Sequence, residues 1–324
     1  MIAPHVEEIT VSDRTVLRSR VWEPPNSTAV ALIRTPYAAK RHDAIGRAWA
    51  ARGYTCLIQD VRGRYSSDGT WEPYRNESAD GGDTVDEVAR RRPQLPIVLY
   101  GASYAAHTAL EAARAAHAQV AAVIVAVPVL GPAETTVDGA GTLQIRHRVG
   151  WWHRHGVART THDGLSDRDL TLRTRQVTEL GVDAAARAWG WPAHTSRAWR
   201  RIWSAPRVDP AVRYRHVHAP LLTISGDNDF FDHDAKRLAQ TWPSGPSHLA
   251  SGPWGHGLTA DSAPGLHEQV RSAGGLAAVI DPWLNVHGLP GRPAQWTSPL
   301  SPLHRTSSIF DPAVRTWIHE RITS

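Results

Sequence analysis

Leu99-Tyr100-Gly101-Ala102-Ser103-Tyr104-Ala105-Ala106 joins the apolar run Leu95 to Tyr100 to an alanine-rich segment ending near Ala113. Strand, sharp turn with a serine at its tip, then helix: this is the setting that a nucleophile elbow requires. The chemistry dictates the geometry. A serine hydroxyl is a weak nucleophile at its own pKa. It must stand clear of the backbone, reach a histidine base and lie beside the N–H groups of a helix start. The turn needs small residues around the serine, and Gly101 and Ala105 supply them, with alanine at Ala102 and Ala105 where glycine is commoner. A G-x-S-x-A pattern also fits a plain strand-to-helix turn, so the partners downstream carry the weight.

The surrounding chain alternates apolar runs with helical patterns. Runs at 6–11, 15–22, 29–33, 54–60, 95–100 and 120–130 read as strands. Helices are expected near 42–52, from about 79, and from 105. That alternation implies a mostly parallel sheet covered by helices on both faces. The pattern breaks after 131. Residues 131–216 are rich in Arg, His and Trp and hold six of the fourteen tryptophans: Trp151, Trp152, Trp189, Trp191, Trp199 and Trp203. They read as an inserted helical cap, with aromatic side chains for a small-molecule pocket. The sheet resumes with Pro220 to Gly226, a helix at 232–241 and a short last strand at Ser247-His248-Leu249-Ala250. A helix near 266–286 closes the domain, and an amphipathic helix is expected near 311–322. The division is thus a core of 1–130 and 217–324 around a cap of 131–216.

Composition narrows the function classes. The 324 residues carry a net charge of +5, with 41% hydrophobic and 21% charged residues, as in a globular protein. Only Lys40 and Lys236 are lysines, and the arginines are scattered, which argues for genome composition and against a nucleic-acid surface. No apolar run reaches the roughly 20 residues of a membrane span, and the start lacks a basic and an apolar leader region, so a cytoplasmic protein is expected. Cys56, the single cysteine, lies in an apolar strand and reads as a buried thiol. No H-E-x-x-H pattern occurs, so neither metal nor cofactor is expected.

A serine of this kind needs an acid and a base on loops beyond later strands, in the order Ser, Asp, His. Asp229 follows the run 220–225, and His256 follows the run 247–250. Asp227 is a rival for the acid. Further motifs make the pattern specific: Arg34-Thr35-Pro36-Tyr37, then Asp60-Val61-Arg62-Gly63-Arg64-Tyr65 with Ser67-Asp68-Gly69, and Trp71-Glu72-Pro73-Tyr74-Arg75-Asn76-Glu77. Ser225-Gly226-Asp227-Asn228-Asp229-Phe230-Phe231 and Gly252-Pro253-Trp254-Gly255-His256 complete the set. In these motifs, over roughly 1–285 apart from most of the cap, the chain resembles the cocaine esterase and Xaa-Pro dipeptidyl-peptidase group of α/β-hydrolases.

The resemblance implies an α/β-hydrolase fold with Ser103 as nucleophile, His256 as general base and acid, and Asp229 as its orienting partner. It also implies an oxyanion hole from the Tyr37 hydroxyl and the Tyr104 backbone N–H. Arg62, Arg64 and Asp68 fall to bracing the long loop. Substrate contacts are expected from Trp151, Trp152, Phe230 and Trp254. Asp138, Asp232 and Glu134 are candidates for a carboxylate cluster that would hold a free α-amino group, as in some members of the group, or else are ordinary capping and loop acids. The residues after 286 are too few for the large β-sandwich domain most of the group carries, so the pocket is expected to be more open or closed by the cap alone.

The expected function is hydrolysis of a small-molecule ester, thioester or amide through an acyl-enzyme, with a small acyl substrate as the only partner. An acyltransferase or cyclase with the same triad, and a non-catalytic binding scaffold, remain as alternatives. The oligomeric state is left open.

Overall fold

The computed structural model describes residues 2–291 and 306–321. Its centre is a ten-stranded sheet. Strands β1 (His5–Thr10) and β2 (Val16–Trp22) form an antiparallel edge. β2 continues antiparallel onto β4 (Tyr54–Asp60), which pairs in parallel with β3 (Ala29–Thr35). Parallel pairing then runs through β5 (Ile97–Ala102), β6 (Val120–Ala126), β7 (Leu221–Ile224), β8 (Ser247–Ser251) and β9 (Thr306–Asp311). β10 (Thr316–Arg321) closes the far edge, antiparallel to β9.

The central strands are apolar throughout because both of their faces are covered. Along β3 the side chains alternate between two cores. Val30 and Leu32 pack with Val85 and Val88 of helix α2 (Glu77–Arg91) and Leu110 of α3 (Tyr104–Ala115). Ala31 and Ile33 pack on the other side with Trp49 of α1 (Asp43–Ala50) and Trp283 of α11 (Ala277–Val286). Cys56 is buried in this second core, where desolvation pushes its thiol up and leaves it inert. The chain is an α/β-hydrolase fold.

Between β6 and β7 no strand joins the sheet. The chain instead forms α4 (Ile145–Trp151), a π-helical turn (Trp152–Gly156), α5 (Asp167–Leu180), α6 (Val182–Ala188), α7 (Ala193–Ser204) and the short α8 (Pro210–Arg213). Val149, Trp152, Val177, Ala185, Trp199 and Ile202 make a separate apolar cluster there. Arg159 ties it to the sheet domain by donating to the carbonyl oxygens of Tyr65 and Ser67 at 2.8 and 2.6 Å. Trp71 Nε1 donates to the His155 carbonyl at 2.8 Å. Among the described residues no helix is long and apolar enough to cross a membrane.

The C-terminal part departs from the sequence reading in three ways. The helix expected near 311–322 is the β9–β10 hairpin, and residues 322–324, like 292–305, lie outside the described residues. Phe310 and Trp317 face each other across the ladder, both buried against Trp254, while Ile309 and Ile318 pair on the exposed side. That is a period of two, broken only by the turn at Pro312–Arg315, and the strand at 247–250 is consequently not the last. The single helix at 266–286 is two, α10 (Pro264–Ser272) and α11, because Gly274 and Gly275 take φ of 88° and 63° between them. The helix at 232–241 forms as α9 (Asp232–Thr241).

The β5–α3 junction brings backbone close against backbone. A Cβ on Gly101 would lie 2.0 Å from the Ala105 carbonyl oxygen and 2.7 Å from the Ala106 nitrogen. Gly101→Ala is therefore expected to lose roughly 1–3 kcal/mol of stability by overpacking, read as a lower urea midpoint. An unchanged midpoint would show that the junction yields without strain.

Candidate active site

Ser103 stands between β5 and α3 with φ 56° and ψ −122°. A non-glycine residue in this region of backbone space is strained by roughly 1–3 kcal/mol. Two hydrogen bonds and one glycine hold it there. Its N–H donates to the Ala126 carbonyl at 2.9 Å, its carbonyl accepts from Ala106 N–H at 3.0 Å, and Gly101 leaves room for the turn. The strain throws the side chain outward from the sheet.

His256 meets it. The Ser103 hydroxyl donates to His256 Nε2 at 2.9 Å, and His256 Nδ1 donates to Asp229 Oδ1 at 2.9 Å. The acceptor-only carboxylate fixes the tautomer, leaving Nε2 free to accept. The Asp229 side chain is fully buried, and the His256 side chain is 29% exposed. Asp227, the rival acid, faces solvent beside Lys236 and does not reach the histidine.

Trp254 brings the acid and base loops together. Its indole donates to the Ser225 carbonyl at 2.8 Å, and its own carbonyl accepts from Asn228 N–H at 3.1 Å. Its ring fills the space over Gly252, and its carbonyl fills the space over Gly226: a Cβ on either glycine would come within 2.2 Å. Expected as a substrate contact, Trp254 is instead buried behind the site and positions it.

Tyr37 follows β3 on a loop pinned by Asp60, whose Oδ1 accepts from Ala39 N–H at 2.8 Å, and by Arg64, which donates to the Pro36 carbonyl at 2.9 Å. The Tyr37 oxygen accepts from Trp151 Nε1 at 3.0 Å. Its own O–H stays available toward Ser103, which it neighbours. Burial pushes the phenol up, so it remains a donor. Tyr104 is the first residue of α3, and its N–H has no acceptor within the helix. Both groups flank the serine, as an oxyanion hole demands. Arg62 and Asp68 serve structure, pairing with Asp80 and Arg18.

A cavity of about 290 Å³ opens at Ser103 and His256, walled by Tyr37, Tyr74, Tyr104, Trp151, Phe230 and Phe231. Phe230 stacks on the His256 ring at 4.4 Å, and Trp151 stacks on Tyr104 at 6.0 Å. Trp152 does not reach the cavity. It begins the π-helical turn and is buried in the apolar cluster between α4 and α7, 5.4 Å from Trp199. The acidic cluster does not form either. Asp138 closes its own loop by accepting from Ala140, Thr142 and Gln144. Asp232 accepts from Ser225 and Lys236, and Glu134 accepts from Val208 N–H. Among the described residues no carboxylate lines the cavity.

The sequence reading missed Tyr74, Val129, His147, Arg148, His155 and Phe231, all of which line it. A signal existed for one. Ile145, Arg148, Val149 and Trp152 fall at i, i+3, i+4 and i+7, so an arginine occupies the apolar stripe of α4. Burial and the nearby arginines push His147 down to about 3 and His155 down to about 4, so both are neutral at pH 7.

Behind the elbow, Tyr104 O–H donates to Glu77 Oε1 at 2.9 Å and accepts from Tyr74 N–H at 2.7 Å. Burial pushes the Glu77 carboxyl up to about 7, with Arg34 at 3.5 Å opposing the shift. A carboxyl whose folded value is raised stabilises the fold below its ordinary value of 4.5, and that stabilisation is lost as pH rises through about 7. The stability of the parent relative to Glu77→Gln is therefore expected to fall across this window by up to roughly 3 kcal/mol. Urea unfolding of both proteins at pH 5 and pH 8 measures it. A pH-independent difference would exclude Glu77 as a buried titrating group.

The comparisons with other proteins agree with this architecture. An aminopeptidase from a marine sediment archaeon, a Thaumarchaeota archaeon, superposes with TM-score 0.64 at 18% identity, over 98% of this chain and 58% of its own. An α-amino acid ester hydrolase superposes with TM-score 0.66 at 17% identity, over 100% of this chain and 59% of its own. This chain thus spans less than two thirds of the length of either. An esterase of Pyrococcus furiosus matches with TM-score 0.57 at 14% identity, over 90% and 92% of the two chains. No curated protein matches in sequence. Residues 13–258, well over half the chain, match the X-Pro dipeptidyl-peptidase (S15) family, and the chain belongs to that family of α/β-hydrolases.

Proposed function

We propose that the chain is a serine hydrolase that cleaves an ester, thioester or amide of a small acyl substrate through an acyl-enzyme. Ser103 Oγ attacks the substrate carbonyl carbon while its proton passes to His256 Nε2. The Asp229 carboxylate holds the imidazole in place and stabilises its charged form. The carbonyl oxygen gains negative charge and accepts from the Tyr37 O–H and the Tyr104 N–H. The carbon–heteroatom bond then breaks, and His256 returns the proton to the leaving group. Water, deprotonated by the same histidine, attacks the acyl-serine and releases the acid.

The observation that carries this reading is the unbroken pair of 2.9 Å hydrogen bonds, Ser103 to His256 to Asp229, at the mouth of an aromatic cavity. A cavity of about 290 Å³ suits a small acyl group. The test is covalent labelling with a fluorophosphonate, followed by intact mass. One adduct on the parent and none on Ser103→Ala or His256→Ala is expected. A folded parent that takes no label would overturn the reading. Tyr37→Phe is expected to lower ester turnover by roughly 10²–10³-fold. Asp229→Asn should lower it by about 10⁴-fold, because the tautomer is lost. Tyr37→Phe turning over at the parental rate would remove its hydroxyl from the oxyanion hole.

A further inference from the structure

Arg148 lies in the cavity wall and is only 3% exposed. Among the described residues it has no carboxylate partner within ion-pair distance. Among the described residues a terminal nitrogen reaches His147 Nδ1 at 3.2 Å, the Tyr74 hydroxyl is a second polar neighbour, and the Nε has no partner. The guanidinium lies 5.5 Å from the Trp151 ring centroid and beside the Tyr37 and Tyr74 phenols.

Other buried arginines of this chain have fuller sets of partners, although Arg34 also leaves one terminal nitrogen without a hydrogen bond. Arg34 has Gln59, the Glu77 carbonyl and the Glu77 carboxylate. Arg52 has Asp281. Arg64 has no carboxylate, but gives its N–H groups to the carbonyls of Pro36 and Ala158 and to Thr161. Among these, Arg148 combines the lack of any carboxylate, an unpartnered Nε and a place in the wall of a cavity. A charge removed from water is tolerated when an anion or a full set of acceptors meets it. Here the protein offers neither. His147 is neutral and adds no second charge, so the cavity presents one fixed positive charge amid aromatic walls.

We propose that Arg148 is a specificity residue that receives a carboxylate of the substrate. This rests on the hydrolase reading above and names its substrate class: esters, thioesters or amides that carry a second, ionised carboxyl group. The guanidinium fork matches a planar carboxylate with two parallel N–H donors, one positive charge against one negative. A phosphate would bring more charge than this single cation balances. The absence of a carboxylate among the lining residues turns the preference away from a free ammonium group and toward an acid.

The experiment compares matched substrates. The acyl-side pair is 4-nitrophenyl hemiglutarate against 4-nitrophenyl pentanoate. The leaving-group pair is 4-acetoxybenzoate against phenyl acetate. Spontaneous release of nitrophenol or phenol is subtracted from every rate before kcat/KM is taken, because the hemiglutarate carboxylate also expels nitrophenol intramolecularly. The parent is expected to favour the acid by roughly 10–100-fold in one pair, and that pair locates the carboxylate. Arg148→Met should bring the ratio near one, and Arg148→Lys should keep part of it. A parental ratio near one in both pairs, or an undiminished ratio in Arg148→Met, would overturn the proposal. So would equal losses on acid and neutral esters, which would put Arg148 at the reacting carbonyl instead.

A binding measurement separates this proposal from the catalytic one. Calorimetric titration of Ser103→Ala with monomethyl glutarate should show binding, and dimethyl glutarate should bind at least tenfold more weakly. Adding Arg148→Lys should narrow that difference, and this arm decides the matter if Arg148→Met does not fold. Equal binding of the two glutarates would refute the carboxylate site. Selective binding by a protein whose serine takes no fluorophosphonate would uphold the site while the hydrolase reading falls.

Discussion

Ser103 can face the cavity only because the backbone turns sharply between β5 and α3, and that turn holds only because Gly101 lets the helix start close over the strand end. The strain at Ser103 is small beside the burial that surrounds it. β3, β5 and β6 are sealed between two cores, so the elbow cannot relax without opening the sheet. The remaining site residues are referred to that point. Tyr37, Asp229 and His256 all lie on loops beyond the carboxyl ends of parallel strands, where such folds place their ligands. Trp254 removes the slack between two of those loops by stacking its carbonyl and ring over two glycines. The hydrogen-bond line from serine to carboxylate is therefore set by sheet geometry and by one tryptophan.

The helices between β6 and β7 add the wall opposite. Adjacent tryptophans have opposite fates there: Trp151 braces Tyr37 and stacks on Tyr104, while Trp152 is sunk among Trp199 and Trp191. The change from α4 to a wider π-helical turn falls between them. Such widened turns gather at functional sites, because the shift in pitch re-aims the side chains around them. Arg148, three residues before Trp151, lies on the same helical face and shares its outlook on the cavity.

Much of this was legible in the amino-acid order. The parallel sheet is written as unbroken apolar runs, and Ser103, Asp229 and His256 could be picked out because each follows the end of such a run. What local pattern could not convey is where neighbouring residues point once elements pack. Trp151 and Trp152 are indistinguishable in sequence, and only the pitch of their turn separates them. Asp138, Asp232 and Glu134 looked available because their partners, among them Gln144, Lys236 and Val208, are set by turns and packing. Trp254 was read as a pocket residue, whereas its ring turns back onto Gly252. The β9–β10 hairpin was obscured by a short apolar alternation split by a proline turn. Arg148 was legible in principle as a cation in an apolar stripe, a conflict between levels of the kind that marks a working site.

The bond between Ser103 and His256 joins residues 153 positions apart, and the acid lies on a third segment between them. Contacts of such span form late, after the loops between them have closed. During synthesis the elbow emerges from the ribosome long before its base. A nascent chain that has folded β3 to β6 thus carries an ordinary, unactivated hydroxyl. The hydrogen-bond line from Ser103 through His256 to Asp229 is complete only when β7 and β8 dock and Trp254 locks their loops. The sheet order thereby ties completion of that line to the docking of strands that leave the ribosome long after the elbow.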